Sequence, residues 1–154
     1  MKARAYAKVN LGLRVLSPDA QGTHPLRGLF QTIDWHDEVT IEDADEDTIE
    51  VPGGGAPNDA TNLAWRAIAA ARGLGSDDRP TRLVVVKQIP SPAGLGGGSA
   101  DAAAALHLAA RRFSVSFDDV RTPVSYTHLT LPTTLCMCRS RGWAGAALGG
   151  GGGG

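Results

Sequence analysis

The chain predicts a layered α+β domain of strands followed by helices on one sheet, and three observations carry that expectation. Short segments alternate apolar and polar residues with the period of two that a half-buried strand requires. Two alanine-rich segments repeat at the spacing of a helix with one covered face. Strands and helices succeed one another without internal repeat, and 42% hydrophobic with 20% charged residues over 154 positions is the balance of about one globular domain.

Taken in order, Val9, Leu11, Leu13 and Val15 alternate with Lys8, Asn10, Gly12 and Arg14, which reads as a half-buried strand carrying Lys8 and Asn10 on one face. Asp19 to Pro25 has turn chemistry, with Gly22 and Pro25 as punctuation, and puts His24 on a loop. Gly28 to Trp35 and Glu38 to Glu42 read as two further strands, Thr48 to Val51 as a short one, and Pro52-Gly53-Gly54-Gly55 as a connection. Asp59 or Thr61 caps a helix whose stripe of Leu63, Ala64, Ala67, Ile68, Ala70 and Ala71 stops at Gly73. Arg82 to Ile89 is an apolar strand around Leu83-Val84-Val85-Val86. Ser99 to Arg112 is a helix of small residues whose last turn holds Arg111 and Arg112, where they complement its dipole, and Ser116 to Val120 opens another.

A formal net charge of −1 with mixed signs leaves no electrostatic footprint for nucleic acid, so a small molecule is the expected partner. No run approaches the ~18 apolar residues of a membrane span. Met1 to Lys8 lacks the apolar core of a secretion signal, and we expect a cytoplasmic protein with no membrane partner. Cys136 and Cys138 stand too close for an ordinary disulfide and without the partner cluster of a zinc site, so they read as two incidental thiols. The chain changes character after about Val120: Val124 to Thr133 resembles translated library-adapter sequence, and the end is polyglycine from Gly149. We expect residues 1–121 to form the domain and 122–154 to be a non-native or disordered tail.

The densest chemical signal is Ser91-Pro92-Ala93-Gly94-Leu95-Gly96-Gly97-Gly98-Ser99-Ala100-Asp101, which joins the apolar strand to the alanine-rich helix almost without side chains. Glycine lets backbone approach an anion, and the first N–H groups of a helix have no partners within it. A glycine-rich stretch can also be a plain connector; the strand before it and the helix after it favour a phosphate site. No Gly-Lys-Ser/Thr closes the loop as in a Walker motif, and no acidic strand end follows at about 20 residues as in a dinucleotide fold. On spacing alone Lys8 reads as a solvated strand lysine, Asn10 as a surface amide and His24 as a surface histidine, while Lys87 and His107 take structural places.

The loop as written resembles the Pro-x-x-x-Gly-Leu-Gly-Gly-Gly-Ser motif of the GHMP small-molecule kinases, and Gly-Gly-Gly-Ser-Ala-Asp-Ala-Ala is the version found in the branch that acts on a cytidyl substrate. Ala7-Lys8-Val9-Asn10-Leu11 is similar to that branch's opening strand, Gly22-Thr23-His24-Pro25 to its Asp-Gly-Tyr-His loop, and Asn62-Leu63 to an Asn-Leu pair that opens a helix. The resemblance spans Ala5 to about Val120 and implies a truncated GHMP-kinase N-terminal domain of the ribosomal protein S5 domain 2-like fold, with the second domain missing. It implies ATP and Mg2+ as cofactors and phosphorylation of the 2-hydroxyl of 4-diphosphocytidyl-2-C-methyl-D-erythritol for non-mevalonate isoprenoid synthesis. Within the family, homoserine and mevalonate are the alternative substrates, and a nucleotide-binding domain without chemistry is the alternative class. The implied roles are ATP binding by Ser91 to Asp101 with Asn62 and Leu63, phosphate stabilisation by Lys8, substrate binding by Asn10 and His24, and Mg2+ contact through Ser99. Thr23 stands where the family has a stacking aromatic residue, and the Gly-Ala-Asp-Val-Pro stretch with the catalytic aspartate has no counterpart here, which implies an inactive fragment.

Overall fold

The computed structural model describes residues 1–17 and 26–116. Its elements run β1 (Lys2–Val15), β2 (Leu26–Asp43), β3 (Thr48–Glu50), α1 (Leu63–Arg72), β4 (Thr81–Val86) and α2 (Gly97–Arg112). The sheet order is β1-β2-β4-β3, with β1/β2 and β2/β4 antiparallel and β3/β4 parallel.

Side chains alternate across each strand, so Ala5, Ala7, Val39, Ile41, Leu83 and Val85 share the covered face. Against it lie Ala64, Ala67, Ile68 and Ala71 of α1 and Ala102, Ala105, Leu106 and Ala109 of α2. Alanine predominates on both helices, which lets them sit close to each other and to the strands; Phe113 fills the end of the layer. The opposite sheet face is polar, with Lys2 paired to Glu38 and Arg82 paired to Glu42 and Glu50. At the end of α1, Arg72 grips Asp47 at 2.6 Å, and Asp47 also accepts the Thr81 N–H at 2.8 Å, which fixes the start of β4. Among the described residues no helix is long and apolar enough to cross a membrane.

Several sequence expectations change. The two strands read over 28–35 and 38–42 are one continuous strand, β2, and β1 starts at Lys2 instead of near Lys8. The stripe Leu11, Leu13, Val15 is not half-buried: these residues are 61%, 50% and 59% exposed. The cause is geometric. Register shifts between Tyr6/Lys8 and Asn10/Gly12 bend the β1–β2 ribbon, and β4 pairs only with Glu38–Asp43, so the far half of the ribbon has no third strand beside it. The burial that period two assigned to Val9–Val15 falls instead on Ala5 and Ala7. β4 ends at Val86 instead of Ile89, and α2 begins two residues early, at Gly97. Thr23, His24, the helix start read from Ser116 to Val120 beyond its first residue, both cysteines and the tail lie outside the described residues.

Candidate active site

The glycine loop sits where β1, the end of β4 and the start of α1 converge, and three successive glycines each meet one of them. Gly96 adopts φ +75°, and a Cβ there would stand 3.2 Å from Lys8 Cε on β1. A Cβ on Gly97 would meet Ile89 Cγ2 at 3.0 Å and Lys87 Nζ at 3.2 Å, and one on Gly98 would touch Leu63 Cδ1 at 3.7 Å. The loop is therefore seated on three elements by backbone, with approaches at Gly96 and Gly97 too close for a Cβ unless a neighbour shifts and ordinary contact at Gly98. Gly96 is the N-cap of α2 in the left-handed conformation and offers no side chain to the helix start. Its carbonyl accepts the first helical bond, from the Ala100 N–H at 2.9 Å. The N–H groups of Gly97, Gly98 and Ser99 precede that bond and have no acceptor within the helix. No acidic residue occurs from Pro90 to Ala100 to repel an anion.

Lys8 lies across this loop. Its backbone N–H donates to Leu95 O at 2.9 Å, and its ammonium donates to Gly94 O at 3.1 Å and to Asn10 Oδ1 at 2.8 Å. The Phe30 ring lies 5.6 Å from the ammonium, from the neighbouring strand. The structure thus brings together Lys8, Asn10 and the glycine loop, as the sequence reading expected of them.

Asn62 and Leu63 are adjacent to the loop through the Leu63–Gly98 approach, but Asn62 is engaged elsewhere. It, not Asp59 or Thr61, caps α1: its Oδ1 accepts the Ala64 N–H at 2.9 Å and its Nδ2 donates to Pro57 O at 2.7 Å. Asp59 instead accepts from Thr61, closing the turn before the helix. Asn62→Ala removes the cap and is expected to lower stability by about 1 kcal/mol, within the ~0.5–2 kcal/mol of such caps, read as a lower urea midpoint.

Beneath the loop lies a charge cluster that joins Lys87, given a structural place by the sequence, to Asp101 and to Asp37, which the sequence reading leaves out. Lys87 Nζ donates to Asp37 Oδ2 at 2.5 Å and to Asp101 Oδ2 at 2.7 Å, with all three side chains almost fully buried. Asp37 Oδ1 also accepts the Gln88 N–H at 2.5 Å and the Ile89 N–H at 2.8 Å. Asp101 was expected among the ATP-binding residues. Its carboxylate faces Lys87 in the interior, so its place is under the loop, not in the open cradle. Sequence alternation held the signal: Asp37 is in step with Val39 and Ile41, and Lys87 with Leu83 and Val85, so both charges fall on covered faces and must find partners.

Burial works against the Asp37 carboxylate, but the Lys87 ammonium and the Ile89 and Gln88 N–H groups outweigh it and hold the carboxyl below its ordinary range. Burial likewise works against the Lys87 ammonium, and its bonds to Asp101 and Asp37 raise it regardless. Asp101 moves the other way: burial, with the negative Asp37 nearby, pushes it up to about 7 despite Lys87. A raised carboxyl binds protons in the folded chain that the unfolded chain has released, so Asp101 withdraws stability as pH climbs from about 4 to about 7. Asp37 acts below that window, its contribution present above the ordinary carboxylate range and lost as pH falls beneath it. Asp101→Asn is therefore expected to gain stability relative to the unsubstituted chain over that rise in pH. The difference in urea midpoints cancels shared titrations such as that of His107, whose imidazole burial pushes down. A difference independent of pH would contradict this.

Residues 62–124 match the family model described as the GHMP kinases N terminal domain. A curated 4-diphosphocytidyl-2-C-methyl-D-erythritol kinase of Kineococcus radiotolerans is 46% identical over 110 residues, covering 68% of this chain and 34% of that protein. One of the same name from Pseudothermotoga lettingae is 40% identical over 124 residues, 76% of this chain and 42% of that protein. The chain thus spans well under half the length of these relatives. A crystal structure of 4-(cytidine 5'-diphospho)-2C-methyl-D-erythritol kinase superposes with a TM-score of 0.67 at 32% identity, over 80% of this chain and 46% of that one. A mevalonate kinase superposes at 0.57 with 14% identity over 81% of this chain and 46% of that one, a likeness of fold alone. By these matches residues 62–124 are a GHMP kinase N-terminal domain, and the chain carries the fold of that part of the family.

Proposed function

We propose that residues 1–121 are the nucleotide-binding part of a kinase that transfers the γ-phosphoryl group of ATP to the 2-hydroxyl of 4-diphosphocytidyl-2-C-methyl-D-erythritol. The observation that carries this reading is the Lys8 ammonium held against the loop by Gly94 O and Asn10 Oδ1. A fixed positive charge beside a set of unpaired backbone donors suits a group whose charge is spread over phosphoryl oxygens in the transition state.

The residues fit the nucleotide. Gly97, Gly98 and Ser99 offer N–H groups at the positive end of α2, and the stretch from Ser91 to Gly96 leads into them without an acidic side chain. Mg2+ would come with the nucleotide and meet the Ser99 hydroxyl. Lys8 would balance charge on the transferring group, Asn10 would orient Lys8 and meet the sugar alcohol, and His24 would bind the cytosine end. Leu63, against Gly98, would border the adenine, with Asn62 holding that helix start in place. No residue of 1–121 is assigned the role of the base that accepts the hydroxyl proton.

The relatives' names favour the cytidyl substrate over homoserine or mevalonate. Titrating this chain with a fluorescent ATP analogue and Mg2+ is expected to give saturable binding that unlabelled ATP reverses. No binding at millimolar nucleotide would overturn the site. In a protein of the relatives' full length carrying this segment, phosphorylation of homoserine or mevalonate in preference to the cytidyl alcohol would overturn the substrate.

A further inference from the structure

We infer that Lys87, with Asp37 and Asp101, is a positioning device for the glycine loop, tying the loop's two ends together through a single buried ammonium. The inference rests on the proposed role of the loop as the phosphate cradle.

The connectivity supports it. The chain leaves β4 at Val86, and the next three residues are all fixed by Asp37 of β2: Lys87 through its ammonium, Gln88 and Ile89 through their N–H groups. This is the loop's beginning. At the loop's far end, in the second turn of α2, Asp101 accepts from the same ammonium. Lys87 Nζ also lies directly under Gly97, 3.2 Å from where a Cβ would be, so the first residue of the helix rests on it. Where Gly97 sits is therefore set by a side chain that makes no contact with open solvent to speak of, its own exposure being 6%.

A device built only for stability would be an inefficient one. Two carboxylates share one ammonium, and Asp101 Oδ1 is buried with no hydrogen-bond partner among the described residues, an arrangement that costs free energy relative to an apolar filling of the same space. Directional ties at both ends of a loop that has almost no side chains of its own supply what packing cannot: a fixed orientation of the Gly97–Ser99 donors.

Asp101→Ala separates the two roles, because it leaves a balanced Lys87–Asp37 pair and cuts only the tie to α2. Hydrogen exchange of two amides reports the loop: Lys8 N–H, bonded to Leu95 O, and Ala100 N–H, bonded to Gly96 O. We expect both to exchange at least about tenfold faster in Asp101→Ala, with the Val39–Val85 ladder unchanged, and ATP affinity to fall by a similar factor. Asp101→Asn keeps an acceptor for Lys87 and is expected to restore both. Ile68→Ala, a core truncation remote from the triad, serves as the comparison for general loosening. Loop amides that speed up no more in Asp101→Ala than in Ile68→Ala would overturn the inference. If the unsubstituted chain binds no ATP, the phosphate-site reading fails, and the exchange comparison still decides whether the triad positions the loop.

Discussion

Asp37→Ala is expected to lower the unfolding free energy by about 3–5 kcal/mol, the range for removing one partner of a buried ion pair. Asp37 is fully buried on the inner face of β2 and accepts from three donors: the Lys87 ammonium and the N–H groups of Gln88 and Ile89. Alanine leaves two backbone donors without acceptors and passes the whole ammonium to Asp101, whose second oxygen already lacks a partner among the described residues. The deleted side chain also opens space that its neighbours on the helix-facing surface fill only in part. For a domain whose total stability falls in the usual range of about 5–15 kcal/mol, this is a large share. Asp37→Asn is expected to cost less, since its oxygen can still accept from the backbone while its amide nitrogen opposes the Lys87 donor. Urea unfolding followed by circular dichroism reads both. A loss under about 1 kcal/mol for Asp37→Ala would show that the backbone N–H groups find other acceptors.

The same cluster shows where reading the sequence stops. Local chemistry is legible because it depends on neighbours along the chain: the glycine run, the alanine stripes and the arginines closing α2 all appear where expected. The Lys8 and Asn10 pairing is legible for the same reason, being two residues apart on one strand. What depends on pairing across the sheet is not. The bulges that bend the β1–β2 ribbon depend on unequal residue counts between Tyr6/His36 and Lys8/Thr32, so the exposure of Leu11 and Leu13 follows from register and not from their own alternation. Phe30 reaches Lys8 only because Asn10 pairs with it. Lys87 takes a structural place without partners in the sequence reading, because those partners are 50 and 14 residues away. Asn62 displaced the two expected caps because the helix starts at Leu63, directly after it, and its side chain bonds both the Ala64 N–H and Pro57 O.

Lys8→Met tests the chemistry assigned to the loop, and in a protein of the relatives' full length it is expected to lower kcat/KM for the cytidyl alcohol by about 10²–10³. Methionine keeps the apolar stem that packs on Gly96 as far as Cε, while removing the charge and both ammonium hydrogen bonds. The loss should fall mainly on kcat. Charge on the phosphoryl oxygens is redistributed in the transition state, and a positive group fixed in advance needs no reorganisation to meet it. Nucleotide affinity should change less, because the donors at the start of α2 are untouched. Stability should move by no more than about 0.5 kcal/mol, since the ammonium's bonds are made at the surface and the Lys8 backbone bond to Leu95 remains. Asn10→Ala removes one of the two groups that aim the ammonium, so a smaller loss in kcat is expected, again without loss of the fold. Equal losses in kcat/KM and in stability for Lys8→Met would mean that Lys8 acts as a strut for the loop. Activity within about threefold of the unsubstituted protein would move the phosphoryl charge away from this strand altogether, since a group worth only that much contributes under about 1 kcal/mol to the barrier.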